Sequence, residues 1–341
     1  MTDDSDISWQ EFLPKRPTRR TCLFGEVVQS WDALLEERDD RSRYSYRSVM
    51  RRLVRLFGHM PVLALTPDVV EAFIGHSEHQ ERAPNTIRRD LYVLSLLCQH
   101  AQEIGAGDQN PVSLVPRRKI PRKRVVDPNR ARLEVLRPDE VEALISDPRI
   151  PFWRRLYWAL LLLTGARPGE ASALRLSDLT RAKPLPCAVI GRAWHSKSRR
   201  IEPTKTEFIR YIPVHPRLAA LLEERSQHAD TRDGLAAPRC LPRTGGRRKI
   251  FDQREALDDW KSDLRVLGIP DPPSGPRRLY ATRHTFVTLA LKGGADLRAI
   301  EQITHTSLSE RRGSSVLHYA HDLGWPELCA AVRKLPVKEA A

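Results

Sequence analysis

Leu156-Tyr157-Trp158-Ala159-Leu160-Leu161-Leu162-Leu163-Thr164-Gly165-Ala166-Arg167-Pro168-Gly169-Glu170 sets an apolar run of eight residues against a glycine break, an arginine and a new helix start. The run is far short of the roughly 20 residues that a membrane-spanning helix needs, so it reads as a core helix from about Phe152 to Leu163. Thr164-Gly165-Ala166 ends that helix, and Pro168 sits where proline opens the next one. Arg167 immediately precedes this second helix, whose free amides favour an anion, and an arginine there suits a phosphate. The plainer reading is that Arg167 pairs with Glu170 on the surface.

Downstream, Cys187–Trp194 and Phe208–Val214 read as strands, with Pro203-Thr204-Lys205-Thr206 turning between them. Helical spacing returns over Pro216–Gln227, Arg254–Leu267, Pro276–Lys292, Asp296–Thr304 and Pro326–Lys334. Upstream, Leu136-Arg137-Pro138-Asp139-Glu140 starts a helix with acids in its first turn. Before it, the stretch from Pro116 to Arg132 holds eight cations against Asp127 alone, with Pro116, Pro121 and Pro128 blocking regular structure. Arg117, Arg118, Lys119, Arg122, Lys123 and Arg124 therefore read as a strap across a phosphate backbone, the alternative being a solvated hinge.

Further upstream the spacing is helical again. Phe24, Val27, Val28, Trp31, Leu34 and Leu35 form one apolar stripe, and Tyr46, Val49, Met50, Leu53, Val54 and Phe57 a second. Thr66-Pro67-Asp68 opens a third helix with Thr66 as N-cap, and Pro84-Asn85-Thr86 opens a fourth. A four-helix module of about 100 residues follows. Residues 1–20 are polar and end in Lys15, Arg16, Arg19 and Arg20, which reads as a flexible arm.

The whole chain has 341 residues, with 57 Lys and Arg against 43 Asp and Glu, a net charge of +14. Its length points to two domains, and the positive excess to a polyanionic partner. Asp3, Asp4 and Asp6 stand where a secretion signal would be basic, so a cytoplasmic protein is expected. Cys22, Cys98, Cys187, Cys240 and Cys329 show no CxxC spacing, which argues for buried thiols over a zinc knuckle or disulfide scaffold.

Several residues could carry chemistry. Tyr280, Arg283 and His284 fall together near one turn of the Pro276–Lys292 helix. Arg283 lies beside an apolar face and needs partners for its five donors if buried. Near the C-terminus, His305 is followed by a polar segment containing Arg311-Arg312-Gly313 and then by His318-Tyr319-Ala320-His321. Most lone tyrosines are packing residues, but this one, flanked by histidines after a flexible basic loop, is a candidate nucleophile that moves.

Taken in order, Thr164–Glu170, Lys205, Arg283-His284-Thr285-Phe286, His305 and Tyr319-Ala320-His321 resemble the signature of the tyrosine recombinases, the phage integrase family with its Xer and Cre types. The resemblance implies a mainly α fold: a flexible arm over 1–20, a helical core-binding, DNA-binding domain over 21–117, a basic linker over 118–134, and an α+β catalytic domain with a small antiparallel sheet over 135–341. It implies that Arg167 and Arg283 grip the non-bridging oxygens of the scissile phosphate and that His305 adds a hydrogen bond to it. Lys205 then protonates the leaving 5′ oxygen and Tyr319 attacks. Two arginines, a lysine and an imidazole supply the preorganised cations and donors that such a transition state needs, with no cofactor and no metal expected.

Three departures stand out. Tyr280 occupies the position, three before the second arginine, where the family usually has histidine; it can still donate or accept a hydrogen bond. Thr304 replaces a frequent glycine, and the segment between His305 and Tyr319 is several residues longer than usual. The function implied is site-specific cleavage and rejoining of duplex DNA through a 3′-phosphotyrosine, by a homo-tetramer on two recombination sites. Accessory DNA-bending factors are further expected partners, and the setting is a bacterial, nucleoid-associated one in a mobile genetic element. The resemblance also implies that the helix after Trp325 docks on a neighbouring subunit, the alternative being packing in cis. Alternative functions are a DNA-binding regulator of the same fold that has lost cleavage, separable by testing for a covalent adduct, and a type IB topoisomerase, separable by an exchange assay.

Overall fold

The computed structural model describes residues 22–37, 42–122, 132–204, 209–227, 234–241, 247–304 and 323–338. The arm read over 1–20 lies outside these residues. The chain divides into two compact units, Met1–Val126 and Asp127–Ala341.

The first unit is helical: α1 (Phe24–Glu37), α2 (Ser42–Phe57), α3 (Pro67–His79), α4 (Pro84–Glu103) and the short α5 (Pro111–Leu114). Its starts follow the sequence cues. Thr66 accepts from the Val69 amide at 3.4 Å ahead of Pro67, Pro84 opens α4, and Asn110 caps α5 through the Val112 amide at 3.1 Å. The apolar stripes meet in one core, where Phe57 takes Phe24 and Phe73 edge-on at 6.1 and 5.7 Å. One buried acid interrupts that core. Asp90 is held by Arg52 at 2.5 Å and Arg82 at 2.8 Å, which offsets the cost of taking its charge out of water.

The second unit contains α6 (Pro138–Ser146), α7 (Phe152–Thr164), α8 (Pro168–Ala173), β1 (Leu179–Thr180), β2 (Cys187–Ile190), β3 (Arg192–His195), β4 (Arg200–Pro203) and β5 (Arg210–Pro213). After these come α9 (Pro216–Gln227), β6 (Arg239–Leu241), β7 (Arg247–Lys249), α10 (Gln253–Val266), α11 (Ala281–Lys292), α12 (Leu297–Thr304) and α13 (Trp325–Arg333). Helix α7 is buried from Leu156 to Thr164 and forms the centre of the core. The strands are all antiparallel, in a sheet ordered β1-β2-β5 and two hairpins, β3-β4 and β6-β7. The fold is thus mainly α with small antiparallel sheets.

Two local readings change. The strand expected over Cys187–Trp194 divides at Gly191: β2 pairs with β5, whereas β3 leaves to pair with β4. The cause is tertiary. A Cβ at Gly169 would lie 2.5 Å from the Trp194 carbonyl, so α8 packs directly on β3, and the Trp194 indole donates to Asp252 at 3.2 Å. The helix expected from Pro276 begins at Ala281 instead. Asp271 accepts the Arg277 amide at 3.2 Å, the buried Arg277 guanidinium donates to the Pro270 carbonyl, and Arg278 pairs with the buried Glu134 at 3.0 Å. These bonds hold residues 277 and 278 in a turn that presents Tyr280 at the end of α11.

Helix α13 packs in cis. Leu328, Cys329, Ala331 and Val332 are buried in the core of their own unit, which leaves its apolar face covered within the chain. Among the described residues, no helix is long and apolar enough to cross a membrane.

Candidate phosphate-binding site

Gly165 sets the site's geometry. It ends α7 in the left-handed region (φ 63°), and a Cβ there would lie 2.5 Å from the Phe286 ring of α11. The turn after α7 is therefore pressed onto α11. Across this contact Arg283 of α11, 2% exposed, donates to the Gly165 carbonyl at 2.5 Å and to the Thr304 carbonyl. An arginine beside an apolar face thus finds carbonyl acceptors at both tips. Burial, opposed by Tyr280 and assisted by the nearby charges of Arg167 and Arg210, pulls the Arg283 guanidinium down to about 10. A cation held that way gains from an incoming anion.

Arg167 lies at the start of α8 with its side chain 41% exposed. It does pair with Glu170, but Glu170 is buried: its Oε1 accepts from Arg167 Nη1 at 2.8 Å and its Oε2 from the Arg167 amide at 2.7 Å. The same carboxylate forms an ion pair with Arg210 of β5. Burial works against its charge, but Arg210, the Arg167 amide and the Arg167 guanidinium outweigh it, so Glu170 is held below the ordinary carboxylate range. Helix α8 has only six residues, and its first free amide is taken by Glu170. What Arg167 leaves open to solvent is part of its side chain, 41% exposed.

Tyr280, 40% exposed at the N-terminal end of α11, completes the described cluster. It lies within electrostatic reach of Arg167 and Arg283, and its ring meets His284 edge-on at 5.3 Å. Arg167, Arg283 and Tyr280 thus come together from α8 and α11. Lys205, His305 and Tyr319 lie outside the described residues. Thr304, the last described residue before 305, is the one whose carbonyl Arg283 holds.

Two residues of this cluster, Glu170 and Arg210, were not singled out as site residues by the sequence. Arg210 carried a signal: along β5 the buried positions 210 and 212 face inward, so a charge alternating with Ile212 marks a buried cation that requires an acid.

The basic segment is anchored where it is described. Arg117, Arg118 and Lys119 form one 3-10 turn, Lys119 pairs with Glu71 at 3.2 Å, and Arg88 donates to the Pro121 carbonyl at 3.1 Å. Arg117, Arg118, Lys119 and Arg122 are exposed; Lys123 and Arg124 lie outside the described residues.

The place of Tyr280 beside Arg167 and Arg283 gives it a definite expected effect. In the reading that the sequence resemblance implies, its hydroxyl orients the scissile phosphate or supports Arg283, and Tyr280→Phe should then lose one hydrogen bond to a charged group, about 1.5–3 kcal/mol, or about one to two decades in cleavage rate. A histidine there should be tolerated, and the pH profile of single-turnover cleavage should keep its shape in the Phe variant. A Phe variant as fast as the parent makes Tyr280 a packing residue, and a flattened profile makes it a proton-transfer group.

Residues 134–323 match the model of the phage integrase family. A stretch of 172 residues is 29% identical to the tyrosine recombinase XerC of Rhodospirillum centenum (strain ATCC 51521 / SW). That stretch covers 50% of this chain and 44% of XerC, so the match spans less than half of the relative's length. Among solved structures, the fold is similar to the Tn1549 transposon integrase in complex with circular intermediate DNA, with a TM-score of 0.64 at 14% identity over 90% of this chain and 98% of that one. It is also similar to a lambda integrase dimer bound to a COC′ core site (TM-score 0.63, 14% identity, 88% and 98% covered). A lambda integrase tetramer bound to a Holliday junction matches with a TM-score of 0.63 at 14% identity, over 91% of this chain and 84% of that one.

Proposed function

The chain belongs to the phage integrase family, and from that premise we propose that it is a site-specific DNA recombinase that breaks and rejoins duplex DNA through a 3′-phosphotyrosine. The observation that carries the reading is the convergence of Arg167 and Arg283 from two separate elements, one partly exposed and one buried, with Tyr280 beside them.

In this reading Arg167 and Arg283 take one non-bridging oxygen each of the scissile phosphate. Their positions are fixed before substrate arrives by Glu170 and by the Gly165 and Thr304 carbonyls, so little reorganisation remains for the transition state. Tyr319 gives up its phenolic proton to water as its oxygen attacks phosphorus, the bond to the 5′ oxygen breaks, and Lys205 gives that oxygen a proton. His305 adds a hydrogen bond to the phosphate. The phosphotyrosine conserves the energy of the broken bond, so a second 5′ hydroxyl can reverse the step on another strand without ATP.

The proposed substrate is double-stranded DNA carrying two recombination sites, bound by four copies of the chain, with DNA-bending factors as accessory partners. A mobile element in the bacterial cytoplasm is the setting that suits a protein of net charge +14 with this signature. Mixing two labelled duplexes that carry the element's ends tests the reading: recombinant strands are expected, and relaxation of supercoils without exchange contradicts it.

The strap is part of the proposal. Replacing Arg122, Lys123 and Arg124 together by Ala should weaken binding to every duplex and lower the log–log salt slope by about three units, one for each phosphate no longer neutralised. An unchanged slope returns the segment to a solvated hinge.

A further inference from the structure

We infer that Arg210 is a positioning residue for strand cleavage: it holds Glu170 against Arg167 and ties down the end of α12. The inference rests on the recombinase reading and extends its site inward. Arg210 leaves β5 on the inward face, opposite Ile190 of β2, and its side chain and that of Glu170 are 3% and 2% exposed. A pair this deeply buried forms where its geometry is required, because each partner left alone would be a charge without water.

The geometry supplies two reasons. Glu170 binds both the amide and the guanidinium of Arg167, so alone it would neutralise the cation it orients. Sharing the carboxylate with Arg210 leaves an excess of positive charge around Arg167 and Arg283 for a phosphate. The second reason lies at the other tip of the fork. Arg210 Nη1 donates to the Ile303 carbonyl at 2.9 Å, next to the Thr304 carbonyl held by Arg283. The last two carbonyls of α12 are thus held by arginines from β5 and α11, complementing the negative end of that helix. One buried guanidinium sets both Arg167 and the point from which the chain continues to residue 305.

The test compares single-turnover cleavage of a nicked suicide duplex with cleavage of the same duplex carrying a methylphosphonate at the scissile position. The methyl group removes one negative charge, so the neutral linkage depends less on a well-placed Arg167. Arg210→Met should slow cleavage of the natural duplex by about 10²-fold, the scale of a small misplacement, with duplex affinity unchanged. On the methylphosphonate its deficit should shrink by about tenfold or more. Arg210→Lys keeps the charge opposite Glu170 but not the fork that reaches Ile303, and it should fall between parent and Met on the natural duplex. Equal deficits on both duplexes, or none on either, overturn the inference. If the Met variant does not fold, the Lys variant carries the same comparison with the same two outcomes. A parent protein that forms no adduct refutes the recombinase reading itself and is thereby distinguished from a failure of Arg210.

Discussion

Tyr319→Phe is expected to abolish covalent protein–DNA adduct while leaving duplex affinity nearly unchanged. The substitution removes one oxygen, the atom proposed to attack phosphorus, and none of the charge that holds DNA. Arg167 is held by Glu170 and Arg283 by the Gly165 and Thr304 carbonyls, so the loss of one phenol oxygen leaves those holds in place. Binding measured by gel shift and adduct measured on a denaturing gel should therefore part completely. Adduct at the parent rate in this variant would point to another nucleophile, and Tyr280, beside the two arginines, is the first to test.

Lys205→Ala should slow cleavage by about 10²–10⁴-fold, the contribution of a well-placed general acid. The departing 5′ alkoxide is a poor leaving group unless protonated as the bond breaks. A duplex with sulfur at the 5′ bridging position leaves as a thiolate and needs no proton, so the variant should recover most of its activity on that substrate. Equal defects on the oxygen and sulfur duplexes would make Lys205 a DNA-positioning residue.

Much of this arrangement was legible in the sequence because local chemistry announces itself. Gly165 marked the end of α7, and the structure adds the reason: left-handed backbone pressed on Phe286. Pro67, Pro84 and Pro168 marked helix starts, and the three-and-four spacing of Phe24, Val27, Val28 and Trp31 marked a face that is indeed buried. Arg167 and Arg283, two residues of the signature, lie near one another in the fold, with Tyr280 beside them. What stayed hidden depends on partners distant in sequence. The break at Gly191 arises from α8 packing on Trp194, and the delayed start of α11 from bonds to Pro270, Asp271 and Glu134. The Glu170–Arg210 pair joins a helix start to a later strand, and only the tertiary fold brings those two charges out of water together.

The identity of the attacking residue can be read chemically. The protein is incubated with a nicked suicide duplex made from the DNA flanking its own gene, the covalent product is digested with protease, and the attached peptide is identified by mass spectrometry. One peptide is expected, containing Tyr319 and joined to a 3′-phosphate. Attachment through any other residue, a 5′-phosphate linkage, or no covalent product on duplexes that the protein binds would contradict the recombinase mechanism.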